Sequence, residues 1–394
     1  MRILMVTPFL PDEAAPHGGG IYLATLAHAL AAKAEVGLVA LLRAGEQETL
    51  AGDSGPWSWH GALPYRERPR RGSLLHQLQM LWRWRHLPLV AAKHWHPDMP
   101  ALLARARVSF QPDVVFVELA QMAQYLPCLR GLPTVLTDHE SGCPANTTTG
   151  LGVLGDHRDA RLWRRYIRHF YPMASLVQTV TVEDARSLAA ELGRDVLVRP
   201  PTFVVPDQPV APDQAPPRAL FLGDYSHHPN PEAAARLVTD VLPLLRASNP
   251  SAELWLAGPN PDRVRALANT PGVAVLGFVP DLRTLFGQVR LLLAPLWSGG
   301  GFRMKALAAL AHGLPVVTNQ LGARGCDAPA PARTIAEGPR ALADAALALL
   351  GSPADAAIAG RAAFAWAQAN LTGDGVADAQ IERATRLVAA QETA

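Results

Sequence analysis

The sequence predicts an α/β protein of two doubly wound, Rossmann-like domains facing each other across a cleft. Three observations predict it. Short apolar runs without polar alternation recur along the chain, as parallel strands covered on both faces require. They alternate with stretches whose apolar residues fall at helical spacing. One proline-rich stretch interrupts the alternation, which then starts again.

Taken in order, residues 2–8 form the first strand. The next loop ends in Gly18-Gly19-Gly20, and residues 21–32 read as a helix with Leu23, Leu26, Ala27 and Leu30 on one face. Residues 36–42, 113–117, 134–137, 176–180 and 196–198 are further strands. Residues 199–217 hold Pro200, Pro201, Pro206, Pro209, Pro212, Pro216 and Pro217, too much proline for helix or central strand, and read as an interdomain linker. Strands are then expected at 219–222, 253–257, 273–276, 291–294 and 315–318. Between them lie helices at 231–245 (Asn230 as N-cap, Pro231 first), 263–268, 282–288 and 304–311. Helices near 339–350, 353–370 and 375–391 close the chain. The expected organisation is a first domain over 1–200, a linker over 201–217, a second domain over 218–372, and a last segment, 373–394, free to cross back to the first domain.

Composition narrows the function. The chain has 394 residues, 49% of them apolar, enough for two full cores. A net charge of +2 gives no basic grip on nucleic acid. Cys128, Cys143 and Cys326 form no CxxC pair, so buried or inert thiols are expected rather than zinc or redox chemistry. The N-terminus superficially resembles a secretion signal, but its apolar run stops at Pro8, Pro11, Asp12 and Glu13 with no small-residue cleavage site. No window approaches ~18 uninterrupted apolar residues, so no membrane span is expected and the cytoplasm is the expected compartment.

The most informative stretch runs from Pro295 through Gly299-Gly300-Gly301 to Arg303 and Lys305. It follows a strand and opens a helix. Successive glycines let backbone approach a ligand closely, and free amides at a helix start favour an anion. Arg303 and Lys305 oppose the helix dipole unless an anion sits there. By spacing alone the segment reads as a phosphate site or as a glycine turn flanked by solvated cations.

Four ordered stretches turn this into a resemblance. They are Leu220-Phe-Leu-Gly-Asp-Tyr with Asn230 downstream, Leu256-Ala-Gly-Pro, Val275-Leu-Gly-Phe-Val-Pro-Asp-Leu-Arg, and the glycine segment running on to His312-Gly-Leu-Pro-Val-Val-Thr and Gly322-Ala-Arg-Gly. Together they resemble the GT-B glycosyltransferases of family GT4, in the bacterial exopolysaccharide-type branch with a GGG-x-R-x-K segment. The N-terminal match is looser: a first strand, a glycine loop, and a histidine in Thr137-Asp138-His139-Glu140.

The resemblance implies a retaining, metal-independent hexosyltransferase that uses a nucleoside-diphosphate sugar and needs no cofactor. The second domain would bind the donor and the first would serve a saccharide or lipid-linked acceptor. It implies that Arg303 and Lys305 hold the diphosphate, with Gly299, Gly300 and Gly301 beside them. Gly19 and Gly20 would lie against the phosphate or donor sugar, and Gly223 under the nucleotide. Phe278, Val279 and Pro280 would touch the base, and His139 would sit near the transferred sugar. Two departures stand out. Ala308 occupies the place of a glutamate that receives the donor ribose, and Gly223-Asp-Tyr-Ser-His-His lacks the cations of typical members. A catalytically degenerate nucleotide-sugar-binding or partner protein is therefore the alternative.

Other residues were weighed against plainer roles. Glu118, Asp138 and Glu140 at strand ends are conceivable as paired carboxylates for an inverting base. His227 and His228 are adjacent, so their side chains diverge, and a solvated loop fits them better than a metal site. Residues 57–95 interleave Trp57, Trp59, Trp82, Trp84 and Trp95 with arginines, and Leu74, Leu75, Leu78 and Leu81 recur at helical spacing. This suits peripheral contact with the inner face of a membrane or, more plainly, a helix packed on the first domain. A nicotinamide-linked dehydrogenase calls for G-x-G-x-x-G after the first strand, and no such fingerprint follows it; an epimerase of GT-B architecture is compatible with the same fold.

Overall fold

The continuous apolar runs do become parallel strands. The structure, a computed structural model, describes residues 1–13, 15, 18–43, 45–51, 55–65, 82–139, 152–298 and 303–392. The chain divides into two units, one comprising Met1–Thr202 and Gly373–Ala394, the other Phe203–Gly299 and Arg303–Thr372.

In unit 1, β1 (Arg2–Thr7), β2 (Glu35–Leu42), β3 (Trp57–Pro64), β4 (Val114–Glu118), β5 (Thr134–Asp138), β6 (Leu176–Thr179) and β7 (Leu197–Val198) pair in parallel in the order β3-β2-β1-β4-β5-β6-β7. Every residue of β4 and β5 is buried, which explains runs with no polar alternation. The order reverses between β1 and β4, and the carboxyl ends of strands at such a reversal are where open sheets bind ligands.

The helices here include α1 (Gly18–Ala31), α2 (Glu46–Ala51), α3 (Leu89–Lys93), α4 (Met99–Ser109), α5 (Gly152–Phe170) and α6 (Val182–Leu192). Thr181 caps α6 by accepting from Asp184 N–H at 3.1 Å, and Gly193 ends it in the left-handed conformation, φ 63°. The glycines expected in the first loop instead open α1. The N–H groups of the first turn have no intrahelical acceptor, so glycine's weak helix propensity costs less there than in the helix interior.

Unit 2 repeats the architecture with β8 (Arg218–Leu222), β9 (Glu253–Ala257), β10 (Val273–Gly277), β11 (Leu291–Leu293), β12 (Val316–Thr318) and β13 (Arg333–Ile335), ordered β10-β9-β8-β11-β12-β13. Its helices are α7 (Pro229–Arg236), α8 (Leu242–Ser248), α9 (Leu282–Phe286), α10 (Met304–Ala311), α11 (Gly338–Gly351) and α12 (Pro353–Asn370). A π turn, Leu237–Val241, joins α7 to α8.

Two expectations fail here. Asn230 is no N-cap: Pro229, with its preset φ, starts α7 two residues before the expected Pro231 and places Asn230 in the first turn. Residues 263–268 form short 3-10 turns, Pro261–Arg263 and Arg265–Asn269, because only Val264 between them is buried, too little of an apolar face to hold an α-helix.

The proline-rich stretch lies along unit 2. Val210 N–H donates to His312 O at 2.8 Å, and Arg290 Nε to Ala215 O at 3.0 Å. Its first residue, Arg199, is instead fully buried in unit 1.

The last helix, α13 (Gly373–Glu392), packs on unit 1. Buried Gln178 donates to Gln380 Oε1 at 2.9 Å and accepts from Arg383 Nη1 at 2.9 Å, while Arg383 Nη2 donates to Val198 O at 3.2 Å. Lys33 of unit 1 pairs with Asp378.

The tryptophan-rich segment is not one amphipathic helix. Trp57–Pro64 is strand β3, with Trp59 stacked on Phe110. Trp84 Nε1 donates to Asp159 at 3.0 Å, and Trp95 lies under Arg83. Alternating burial along an edge strand, rather than helical spacing, accounts for the first two tryptophans. Leu74, Leu75, Leu78 and Leu81 lie outside the described residues, as does Cys143. Of the other cysteines Cys326 is buried and Cys128 is exposed near the end of a 3-10 run, where partial desolvation raises its thiol. Among the described residues no single helix is long and apolar enough to cross a membrane.

The α13 contact yields a prediction. Arg383→Ala leaves buried Gln178 Oε1 and Val198 O short of a donor, and should cost about 1–3 kcal/mol. Urea unfolding measures it; an unchanged midpoint would show that α13 contributes nothing through this contact.

Candidate functional site

In unit 2 the carboxyl ends of β8, β9 and β11 bring three sequence-distant segments together. Gly223 follows β8 and Gly258 follows β9. Gly258 has φ +134°, and a Cβ on it would lie 2.1 Å from Gly223 O. A Cβ on Gly223 would lie 2.7 Å from Asn230 Cγ, so only glycine lets Asn230 pack over this turn. Asn230 is itself fixed, donating from Nδ2 to Asp224 O at 2.8 Å.

Asn230 then receives Lys305. Lys305 Nζ donates to Asn230 Oδ1 at 2.7 Å and lies 4.1 Å from the Phe221 ring centroid, with no carboxylate partner among the described residues. Desolvation, with the charge of Arg303 adding to it, lowers the Lys305 ammonium to about 7. Arg303 immediately precedes α10, is buried, and donates from Nε to Leu321 O at 3.1 Å.

The approach to this helix is also built. Asn319 Oδ1 accepts from Leu296 N–H at 3.0 Å and Gly322 N–H at 2.9 Å, and Asn319 Nδ2 donates to Leu296 O at 2.7 Å. Ser298 donates to Glu232 Oε2 at 2.7 Å. Gly299, Gly300 and Gly301 lie outside the described residues. Two cations gathered at a helix start, with no carboxylate on Lys305 among the described residues, form an electrostatic site for a polyanion.

Phe278, Val279 and Pro280 follow β10 at the same sheet edge, with Phe278 59% exposed. They stand two strands from Gly223, since β9 lies between β8 and β10. Ala308, at the place where the resemblance implies a glutamate, is buried on α10. His227 and His228 are exposed in the turn after β8. Among the described residues no group of three His, Cys, Asp or Glu side chains is placed to hold a metal ion.

Unit 1 brings together a different set. His139 follows β5, and its Nε2 lies 2.8 Å from Glu118 Oε2 at the end of β4. Arg199, after β7, binds Glu118 bidentately, Nη1 to Oε1 and Nη2 to Oε2, both at 2.7 Å. Arg199 Nε donates to Tyr22 Oη at 2.8 Å, and the Tyr22 ring meets His139 edge-on at 5.3 Å. Tyr22 lies on α1 two residues past Gly20, so Gly19 and Gly20 open the helix that carries it.

Burial by itself raises the Glu118 carboxyl. The Arg199 charge and the hydrogen bonds from His139 and Arg199 outweigh it and hold the group at about 2. An ionised carboxylate only accepts, so His139 Nε2 carries the hydrogen and donates to it. This leaves Nδ1 to a ligand, on a ring 12% exposed.

The expected carboxylate pair is thereby corrected. Glu118 is sealed in an ion pair with both oxygens engaged, and buried Asp138 accepts from Tyr171 Oη at 2.8 Å. Neither is available as a base, and Glu140 lies outside the described residues. Leu119, directly after Glu118, has φ 70°, a strained conformation for leucine that turns the chain sharply at the strand end. Sequence reasoning missed Arg199 and Tyr22. The available signal was a charged residue directly after an apolar strand, at both Glu118 and Arg199.

Residues 216–352 match the family of glycosyl transferases group 1. The likeness to solved structures spans nearly the whole chain. Sucrose-phosphate synthase from Thermosynechococcus elongatus is 16% identical with a TM-score of 0.70, covering 99% of this chain and 100% of that one. OtsA is 12% identical with a TM-score of 0.69, over 98% and 99%. HepE from Anabaena, solved with UDP and glucose, is 17% identical with a TM-score of 0.64, over 97% and 99%. No curated protein sequence matches the chain. The fold is GT-B, and with a group 1 domain in unit 2 the protein is a glycosyltransferase.

The buried ion pair gives a pH-dependent prediction. Folded Glu118 sits at about 2 against an ordinary 4.5, so the unfolded chain binds the extra proton between those values. The stabilisation is full above about 4.5 and is lost as pH falls through about 2. Arg199→Met should cost roughly 3–5 kcal/mol at neutral pH by stranding the carboxylate. That deficit should shrink as acid neutralises Glu118, measured by denaturant unfolding across pH; a deficit constant with pH contradicts the assignment.

Proposed function

We propose that the protein transfers a hexose, with retention and without a metal, from a nucleoside-diphosphate sugar to a saccharide or lipid-linked acceptor, as a GT4-type enzyme. The observation that carries this reading is the pairing of Arg303 and Lys305 at the start of α10, with no carboxylate on Lys305 among the described residues. These cations, with the amides of the glycine segment, hold the donor diphosphate. HepE, a structural neighbour, was solved with UDP and glucose, which makes UDP the first nucleotide to test.

In the transfer, the bond from the anomeric carbon to the diphosphate oxygen breaks as the bond to the acceptor oxygen forms. The acceptor's proton passes to the leaving phosphate. Negative charge grows on the diphosphate through this step, and fixed cations stabilise it more in the transition state than in the bound donor. His139, held through Nε2, uses Nδ1 to accept a hydrogen bond from a hydroxyl of the transferred sugar. Gly19 and Gly20 lie against the donor, Gly223 under the nucleotide, and 278–280 against the base. Ala308 offers the ribose no carboxylate, which weakens donor binding by about 1.5–3 kcal/mol relative to a glutamate at this place.

Two measurements test this reading. In a thermal-shift screen over UDP-, GDP-, dTDP- and ADP-sugars one donor should raise the melting temperature, and Arg303→Ala or Lys305→Ala should each abolish the shift. A shift that persists in both variants removes the site. Because Lys305 lies at about 7 in the free protein, a bound diphosphate should raise it, so binding takes up protons and weakens as pH rises through 7. Calorimetry in buffers of different ionisation enthalpy reads the uptake; no proton uptake, or uptake unchanged in Lys305→Met, contradicts it.

A further inference from the structure

Helix α5 carries a second cationic surface, distant in kind from the donor site. Its inner face, Gly155, Asp159, Trp163, Tyr166 and Ile167, is buried in unit 1. On the outer face Arg158, Arg161, Arg164, Arg165 and Arg168 recur at spacings of three and four and are all exposed. Four of them, with His169, line one open depression. Counter-charge is scarce. Arg168 pairs with Glu191 at 2.6 Å, but Arg161, Arg164 and Arg165 make no ion pair among the described residues. Clustering arginines without acids costs self-repulsion, which a bound polyanion relieves.

The stripe also has an apolar end. Val153 and Leu154 are 71% and 86% exposed, and Leu154 falls in register with Arg158, Arg161, Arg165 and Arg168. Trp82, 66% exposed, lies two residues from Trp84, which packs on this helix beneath Arg158 and donates to Asp159. From Leu154 to Arg168 the stripe runs about 21 Å at ~1.5 Å per residue.

We propose that this face of α5 docks the protein on an anionic phospholipid bilayer. The arginines meet headgroup phosphates, and Leu154, Val153 and Trp82 enter the interfacial layer. A nucleic acid or an acidic protein segment would satisfy the charges but leave those large side chains in water. A bilayer surface takes both. Docking of this kind needs nothing from the donor site.

The full chain should pellet with vesicles of phosphatidylglycerol and phosphatidylcholine, far less with phosphatidylcholine alone, and less at high salt. Each arginine near an anionic surface strengthens binding about fivefold, so Arg161→Glu with Arg165→Glu should weaken it by ~25-fold or more. Leu154→Ser should weaken it about tenfold although every charge remains. Both variants should melt at the wild-type temperature, since the altered side chains are exposed. Equal pelleting with both lipids, none with either, or an unchanged double variant overturns the proposal. So does an unchanged Leu154→Ser, or binding of a short DNA duplex without binding of vesicles.

Discussion

An ammonium group taken out of water and given no carboxylate among the described residues is the constraint on which the site depends. Lys305 has one neutral oxygen, Asn230 Oδ1, one aromatic face, Phe221, and a like charge, Arg303, as neighbours. Each choice around it follows. Gly223 is small so that Asn230 can sit over the turn, and Gly258 adopts a backbone that only glycine favours so that Gly223 can approach. Asn319 clamps the strand end before the glycine segment. A fold gains nothing from keeping a cation so poorly compensated. The arrangement makes sense when the missing negative charge belongs to a ligand.

Unit 1 solves the opposite problem. There the Glu118–Arg199 pair is complete: both carboxylate oxygens bind the guanidinium, and the third donor goes to Tyr22. No charge is left for a substrate. What the pair provides is position, since it holds one nitrogen of His139 and leaves the other. A buried ion pair adds little net stability, but breaking it is costly, so the histidine geometry is well determined. One group of charges is left open to bind and another is closed to orient.

Much of this was legible in the sequence. Apolar strands of four to eight residues, glycine turns and helical spacing placed nearly every strand, and the glycine segment with Arg303 and Lys305 pointed to one helix start. What escaped is what local pattern does not encode. Arg199 sat at the head of a proline-rich stretch and read as linker, yet its partners lie 81 and 177 residues away. Tyr22 hid on the buried face of α1. Asn230 looked like a cap because caps and ligand-holding asparagines share a residue type; only Lys305, 75 residues on, tells them apart. Composition alone hid the strand in the tryptophan segment, whose β3 part alternates with the period of a strand. The arginine stripe on α5 was readable by spacing but was not read.

The most direct test is a crystal structure of the protein with UDP. Density for the diphosphate should lie at the start of α10, with phosphate oxygens within hydrogen-bonding distance of Lys305 Nζ and the Arg303 guanidinium. Diphosphate bound elsewhere, with Lys305 still turned only to Asn230 and Phe221, would contradict the account.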